Sequence, residues 1–67
     1  MTFKIHFGEK PLDGPLTPEV ATIHSEFNGT LQEAVAATNK AVFEVYHAEF
    51  HACITDTDGK IVHTVPA

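Results

Sequence analysis

Apolar and polar residues alternate from Thr2 to Phe7, with Phe3, Ile5 and Phe7 set against Lys4 and His6. A period of two predicts a strand with one face buried and one face wet. Gly8 to Pro18 breaks that period with three prolines and two glycines in eleven residues, which predicts an irregular loop. Loops this long within a short chain are often either functional or floppy.

Val20 to Phe27 admits two readings. Thr17-Pro18-Glu19 is a helix opening, after which Val20, Ile23 and Phe27 share one face. Read as a strand, Ala21, Ile23 and Phe27 point away from Thr22, His24 and Glu26. The strand is preferred, because Phe3–Phe7 otherwise has no neighbour close in sequence with which to pair.

Thr30 to Tyr46 carries a helical period. Thr30-Leu31-Gln32-Glu33 is a capping box, in which hydroxyl and carboxylate each satisfy a free backbone amide of the first turn. Leu31, Val35, Thr38, Val42 and Val45 form an apolar stripe, with Ala34 and Ala41 beside it and Phe43 off it. Phe50 to Val65 then reads as a hairpin turning at Asp56-Thr57-Asp58-Gly59. Phe50, Ala52 and Ile54 form the inner row of its first strand; Ile61 and Val65, or Val62, face them, and Pro66 ends the pairing. The expected fold is α+β, one small domain over 1–67 in the order β-β-α-β-β (hairpin, helix, hairpin), with one helix packed on an antiparallel sheet. This order resembles small bacterial and phage domains of unknown function, through Thr30-x-x-Glu33-Ala34 and Asp58-Gly59-Lys60-Ile61. Those motifs are helix-start and turn chemistry, so the resemblance implies a fold and no activity.

Size changes what this fold must do to be stable. A 67-residue chain buries only ~60% of the surface it exposes when unfolded. With one cysteine there is no internal disulfide, so a very regular core, a metal or a partner chain must supply the remainder. A lone thiol fits a reducing compartment, and the N-terminus has no continuous apolar stretch of the signal-peptide kind. A cytoplasmic protein is expected, and the sequon Asn28-Gly29-Thr30 is then incidental.

Charge narrows the partners. Nine acids oppose four basic residues, all lysines, for a formal net charge of −5. Without arginine, the usual bidentate ligand of phosphates and guanine edges, direct nucleic-acid binding is disfavoured, as is an anionic membrane. Glu9, Asp13, Glu19 and Glu26 gather in the N-terminal half, and Glu33, Glu44 and Glu49 around the helix. A compact negative domain suits a basic surface on another protein, such as a nucleic-acid groove.

Candidate chemistry lies in His47, Glu49, His51 and Cys53, which share one face if the segment is a strand. His47 and His51 would then stand ~13 Å apart, too far to share an ion, whereas His51 and Cys53 are ~7 Å apart. His63 is the natural third ligand: a three-residue loop, Thr57 to Gly59, sets it opposite Cys53, and a loop one residue shorter or longer turns it to the other face. If instead the helix runs on through residue 51, His47 and His51 become an i,i+4 pair. Cys53 as a nucleophile with His51 as base needs a cleft, which a small sheet hardly offers. Asp56-Thr57-Asp58-Gly59 is a turn and not a calcium loop, because Ile54 and Val65 occupy two positions that would have to be acidic. Five histidines would bring the charge from −5 to about zero near pH 5, which predicts poor solubility there.

The leading expectation is therefore a non-enzymatic binding module. It would contact a protein through Glu9, Asp13, Glu19, Glu26, Glu33 and Glu44, an exposed sheet edge or the 8–18 loop. In size and charge it is similar to small phage inhibitors of nucleic-acid enzymes, anti-CRISPR proteins among them, and that similarity implies an inhibitor seated on a basic surface. Homodimerisation through an edge is compatible with this, no cofactor is expected, and the alternative is a zinc or transition-metal protein using His51, Cys53 and His63. An enzyme ranks third.

Overall fold

The computed structural model describes residues 1–66, which form one antiparallel sheet with a helix packed against it. The elements are β1 (Thr2–Glu9), β2 (Ile23–Asn28), α1 (Leu31–Lys40), β3 (Phe50–Thr55) and β4 (Ile61–Val65), with a π-helical turn, Ala41–Val45, continuing α1. The strand order is β2-β1-β3-β4, so the N-terminal strand is central and β2 and β4 are the edges. The expected α+β fold in the order β-β-α-β-β is the observed one.

The Phe3–Phe7 alternation works as read. Phe3, Ile5 and Phe7 are buried on the helix side with Ala52, Ile54 and Val65, and Ala34 and Val42 close the core from above. The capping box starts α1: Thr30 Oγ1 accepts from Glu33 N at 3.1 Å, and Glu33 Oε1 accepts from Thr30 N at 2.9 Å. Thr38, the polar member of the stripe, is fully buried and donates its hydroxyl to Ala34 O at 2.7 Å. That bond is what lets a hydroxyl sit in an apolar core.

Four local expectations are corrected. The helix does not keep its α period to Tyr46: after Lys40 the turn widens, Tyr46 N–H donates to Ala41 O at 3.1 Å, and Val45 is left 63% exposed. One extra residue per turn rotates the stripe, so Tyr46 comes under the sheet in place of Val45, tilted against Phe7 and stacked on Phe50 at 4.8 Å. Val20 belongs to an exposed turn in which its N–H bonds Thr17 O, and the second strand begins only at Ile23.

The row from 47 to 53 is not one strand. His47 and Ala48 have φ of 54° and 61°, in the left-handed region, and β3 begins at Phe50. His47 therefore leaves the face that His51 and Cys53 share. The last correction concerns hairpin register. Of the loop lengths weighed, the Thr57–Gly59 loop has the three-residue one: Asp56 N–H bonds Lys60 O at 3.0 Å, and Gly59 takes φ of 81°. However, a β-bulge follows it. Thr55 pairs with Ile61 but Ile54 pairs with His63, leaving Val62 as the extra residue, turned in against the core. His63 thus lies opposite Ile54, and Thr64 opposite Cys53.

Candidate functional site

The second face of the sheet, away from α1, carries Lys4, His6 and Gly8 of β1, His24 and Glu26 of β2, and His51, Cys53 and Thr55 of β3. Alternation alone predicts a wet surface. Instead His6, Cys53 and Thr55 are buried, at 5%, 0% and 3% exposure. The loop between β1 and β2 lies against this face at Gly8. Leu16 is 1% exposed, and a side chain at Gly8 would meet Leu16 Cδ1 and Ala21 Cα, each at 3.1 Å. Glycine at position 8 lets the loop lie this close to the sheet. The loop's Gly14 and Pro15 border an open hollow with His51, Thr64 and Pro66.

The loop stops short of the β2 side, and there the face opens. His6 is directly opposite His24, and Lys4 opposite Glu26. With Ser25 these four line a shallow depression of about 340 Å³. The two imidazoles meet edge to face, with Nδ1 of each 2.7 Å from Nδ1 of the other. His6 Nε2 is 2.8 Å from Thr55 Oγ1. One of the facing Nδ1 atoms must carry a hydrogen and the other a lone pair, so the pair cannot be doubly charged in this arrangement. Burial, then the proximity of His24 and Lys4, hold His6 below the ordinary imidazole range, and Glu19 pulls weakly the other way. Across β1 from this pair, Cys53 is a free thiol pushed up in pKa by burial and by Glu19.

The sequence-expected residues divide. Among the described residues, no group of three or more His, Cys, Asp or Glu side chains comes close enough to hold a metal ion. His51, Cys53 and His63 are not brought together, because the bulge moves His63 one place along; the histidine opposite Cys53 is His6. Of the acids, Glu26 lies on the open second face, and Glu19 lies near enough to His6 and Cys53 to act on both. Glu33 is engaged in the helix cap, whose Thr30 backbone N–H holds its carboxyl below the usual range. Glu44 sits on the π turn, across the sheet from Glu26, and Glu9 and Asp13 are exposed at the start of the loop. The six acids do not form one patch.

The His6–His24 pair was missed in the sequence, although both alternation patterns were in view. Placing the polar row of one strand against the polar row of the next brings the two histidines together. Their register depends on a thirteen-residue connection, from Lys10 to Thr22, that no turn rule fixes.

Fold and site together define a small sheet-and-helix domain with an exposed edge and a cross-strand histidine pair. Comparison with protein-family models, with curated proteins and with solved structures finds no match to this chain. Among the described residues no helix is long and apolar enough to cross a membrane.

Proposed function

We propose that the protein works by binding another protein and performs no chemistry of its own. The observation that carries this reading is β2: an edge strand whose six residues are exposed or half-exposed, beside the central strand of the sheet. An unpaired edge of this kind offers a row of backbone donors and acceptors for an added strand. Glu26 on β2 and Glu19 beside it give that side a negative character, and a net charge of −5 without arginine favours a basic partner. A nucleic-acid-binding groove is one such basic surface, and on this reading the protein acts as an inhibitor that occupies it. The only thiol, Cys53, is fully buried with its thiolate disfavoured, which suits a binding role and a reducing compartment such as the cytoplasm.

The test is capture from a lysate of the native host on immobilised protein, in parallel with Glu26→Lys and with Glu19→Lys/Glu26→Lys. The expected result is a basic nucleic-acid-binding protein that is retained by the wild type, lost with the double charge reversal, and displaced by a single-stranded oligonucleotide or by raised salt. Retention unchanged by charge reversal and by oligonucleotide, or no retained protein at all, would overturn the reading.

A further inference from the structure

Register makes His6 and His24 a non-hydrogen-bonded cross-strand pair. Gly29 N–H donates to Met1 O at 2.8 Å, so by alternation the ladder bonds between β1 and β2 fall on the odd positions of β1. Facing side chains approach most closely at the other positions. Here one ring is buried, the other is exposed, and their Nδ1 atoms meet at 2.7 Å at the edge of the open depression. Thr55 supplies the second observation. When His6 Nε2–H donates to Thr55 Oγ1, Nδ1 keeps its lone pair, directed out of the sheet toward His24. An imidazole fixed through one nitrogen while the other is presented is the arrangement proteins use to prepare a metal-ligating histidine.

We propose that His6 and His24 chelate a divalent transition-metal ion of the copper(II) or nickel(II) class through their Nδ1 atoms, with water on the remaining positions. Two nitrogens each about 2.0–2.1 Å from an ion are about 2.9 Å apart at a right angle and about 3.4 Å apart at a tetrahedral one. The two Nδ1 atoms, now hydrogen-bonded at 2.7 Å, need separate by only a few tenths of an ångström to reach the right-angle spacing. His24, exposed, is the ring that turns to let both lone pairs converge. Its hydrogen leaves Nδ1 and an equivalent one is taken up at Nε2 from solvent, so two neutral imidazoles bind the ion with no net proton released. Lys4 opposes the added charge, while Glu26 opposite it and Glu19 beside His6 offset that opposition. The buried Cys53 offers no thiolate, which leaves an imidazole site and favours these ions over softer ones. This site is separate from His51, Cys53 and His63, and it stands whether or not a protein partner exists.

The experiment uses the purified full chain with CuCl2 and, separately, NiCl2. Substoichiometric copper should broaden backbone amide NMR signals around His6, His24 and Thr55 first, and nickel should raise the melting temperature. His24→Gln, at an exposed position that leaves the fold intact, should abolish both effects. Thr55→Val should keep the site and weaken it on the order of tenfold by releasing His6 Nε2. His63→Gln should change neither. Broadening confined to Met1 or to His47, or an effect undiminished in His24→Gln, would overturn the proposal; so would the absence of binding at millimolar nickel.

Discussion

Both faces of the central strands β1 and β3 bury side chains, but by different means. Toward α1 the cover is regular: an amphipathic helix lays Ala34, Thr38 and Val42 over Phe3, Ile5, Phe7 and Ile54. On the other side lies an irregular loop whose one large buried apolar residue, Leu16, packs at Gly8, in line with a row that includes histidine, cysteine and threonine. A helix fills a face by repetition, and the one buried hydroxyl it brings, Thr38, is satisfied by its own backbone at Ala34 O. A loop covers only where it touches, and the polar groups beneath it must pair among themselves. The nitrogens and oxygens do so, since every buried side-chain nitrogen and oxygen among the described residues has a hydrogen-bond partner. The difference leaves one face closed by a continuous apolar core and the other open at its β2 end.

The largest expected effects compare the two covers directly. Ile54, fully buried on the helix side, should cost about 3–4 kcal/mol when cut to alanine. Against a total stability of about 3–10 kcal/mol for a chain of this length, that loss is a third or more of the whole. Leu16→Ala should cost about 2–3 kcal/mol, read from urea midpoints, and should also expose Cys53 to alkylation. A loop that merely drapes over the sheet would lose less than about 0.5 kcal/mol, and that result would reduce the second face to an ordinary surface.

Acid should act on the second face and spare the first. The folded chain holds His6 below 6.5, so below that pH the unfolded chain takes up a proton that folded His6 resists. This contribution to stability is complete above about pH 6.5 and is lost as pH falls through the depressed folded value. Urea midpoints should therefore decline between about pH 7 and 5, and His6→Gln should decline less steeply. An equal slope in His6→Gln would place the titration elsewhere.

The helix-covered face was the legible one. Phe3, Ile5 and Phe7 advertise themselves by alternation, and Thr30 with Glu33 by cap chemistry, because each pattern is local and repeats a backbone period. The loop-covered face was not. Leu16 stands alone among prolines and glycines, and nothing within several residues of it indicates that it folds back on Gly8. The metal candidates failed for a narrower reason. Turn chemistry left the loop length open; the loop has three residues, but the bulge at Ile54/Thr55 adds one residue to β4 beyond the turn, and a single residue moves His63 from Cys53 to Ile54. A bulge is chosen by packing, here by bringing Val62 under the core, so turn residues alone do not reveal it.

The smallest prediction concerns how the helix reaches the sheet it covers. Tyr46 packs against Phe7 and Phe50 only because the chain widens to a π turn and then passes through His47 and Ala48 in the left-handed region. The turn is tied by Ala48 N–H to Val42 O at 2.8 Å and by Glu49 N–H to Tyr46 O at 3.0 Å, so the backbone is held in place by its ends. Left-handed φ costs a residue with a Cβ about 1–2 kcal/mol, and glycine avoids that cost while adding about 0.4–1 kcal/mol of freedom to the unfolded chain. Ala48 is exposed and gives up no packing, so Ala48→Gly should stabilise by about 0.5–1 kcal/mol in urea. Its gain should persist in Leu16→Ala, since the two changes act on opposite faces and share no contact. A loss of stability in Ala48→Gly would mean that the turn carries no strain and that the regular face is reached without cost.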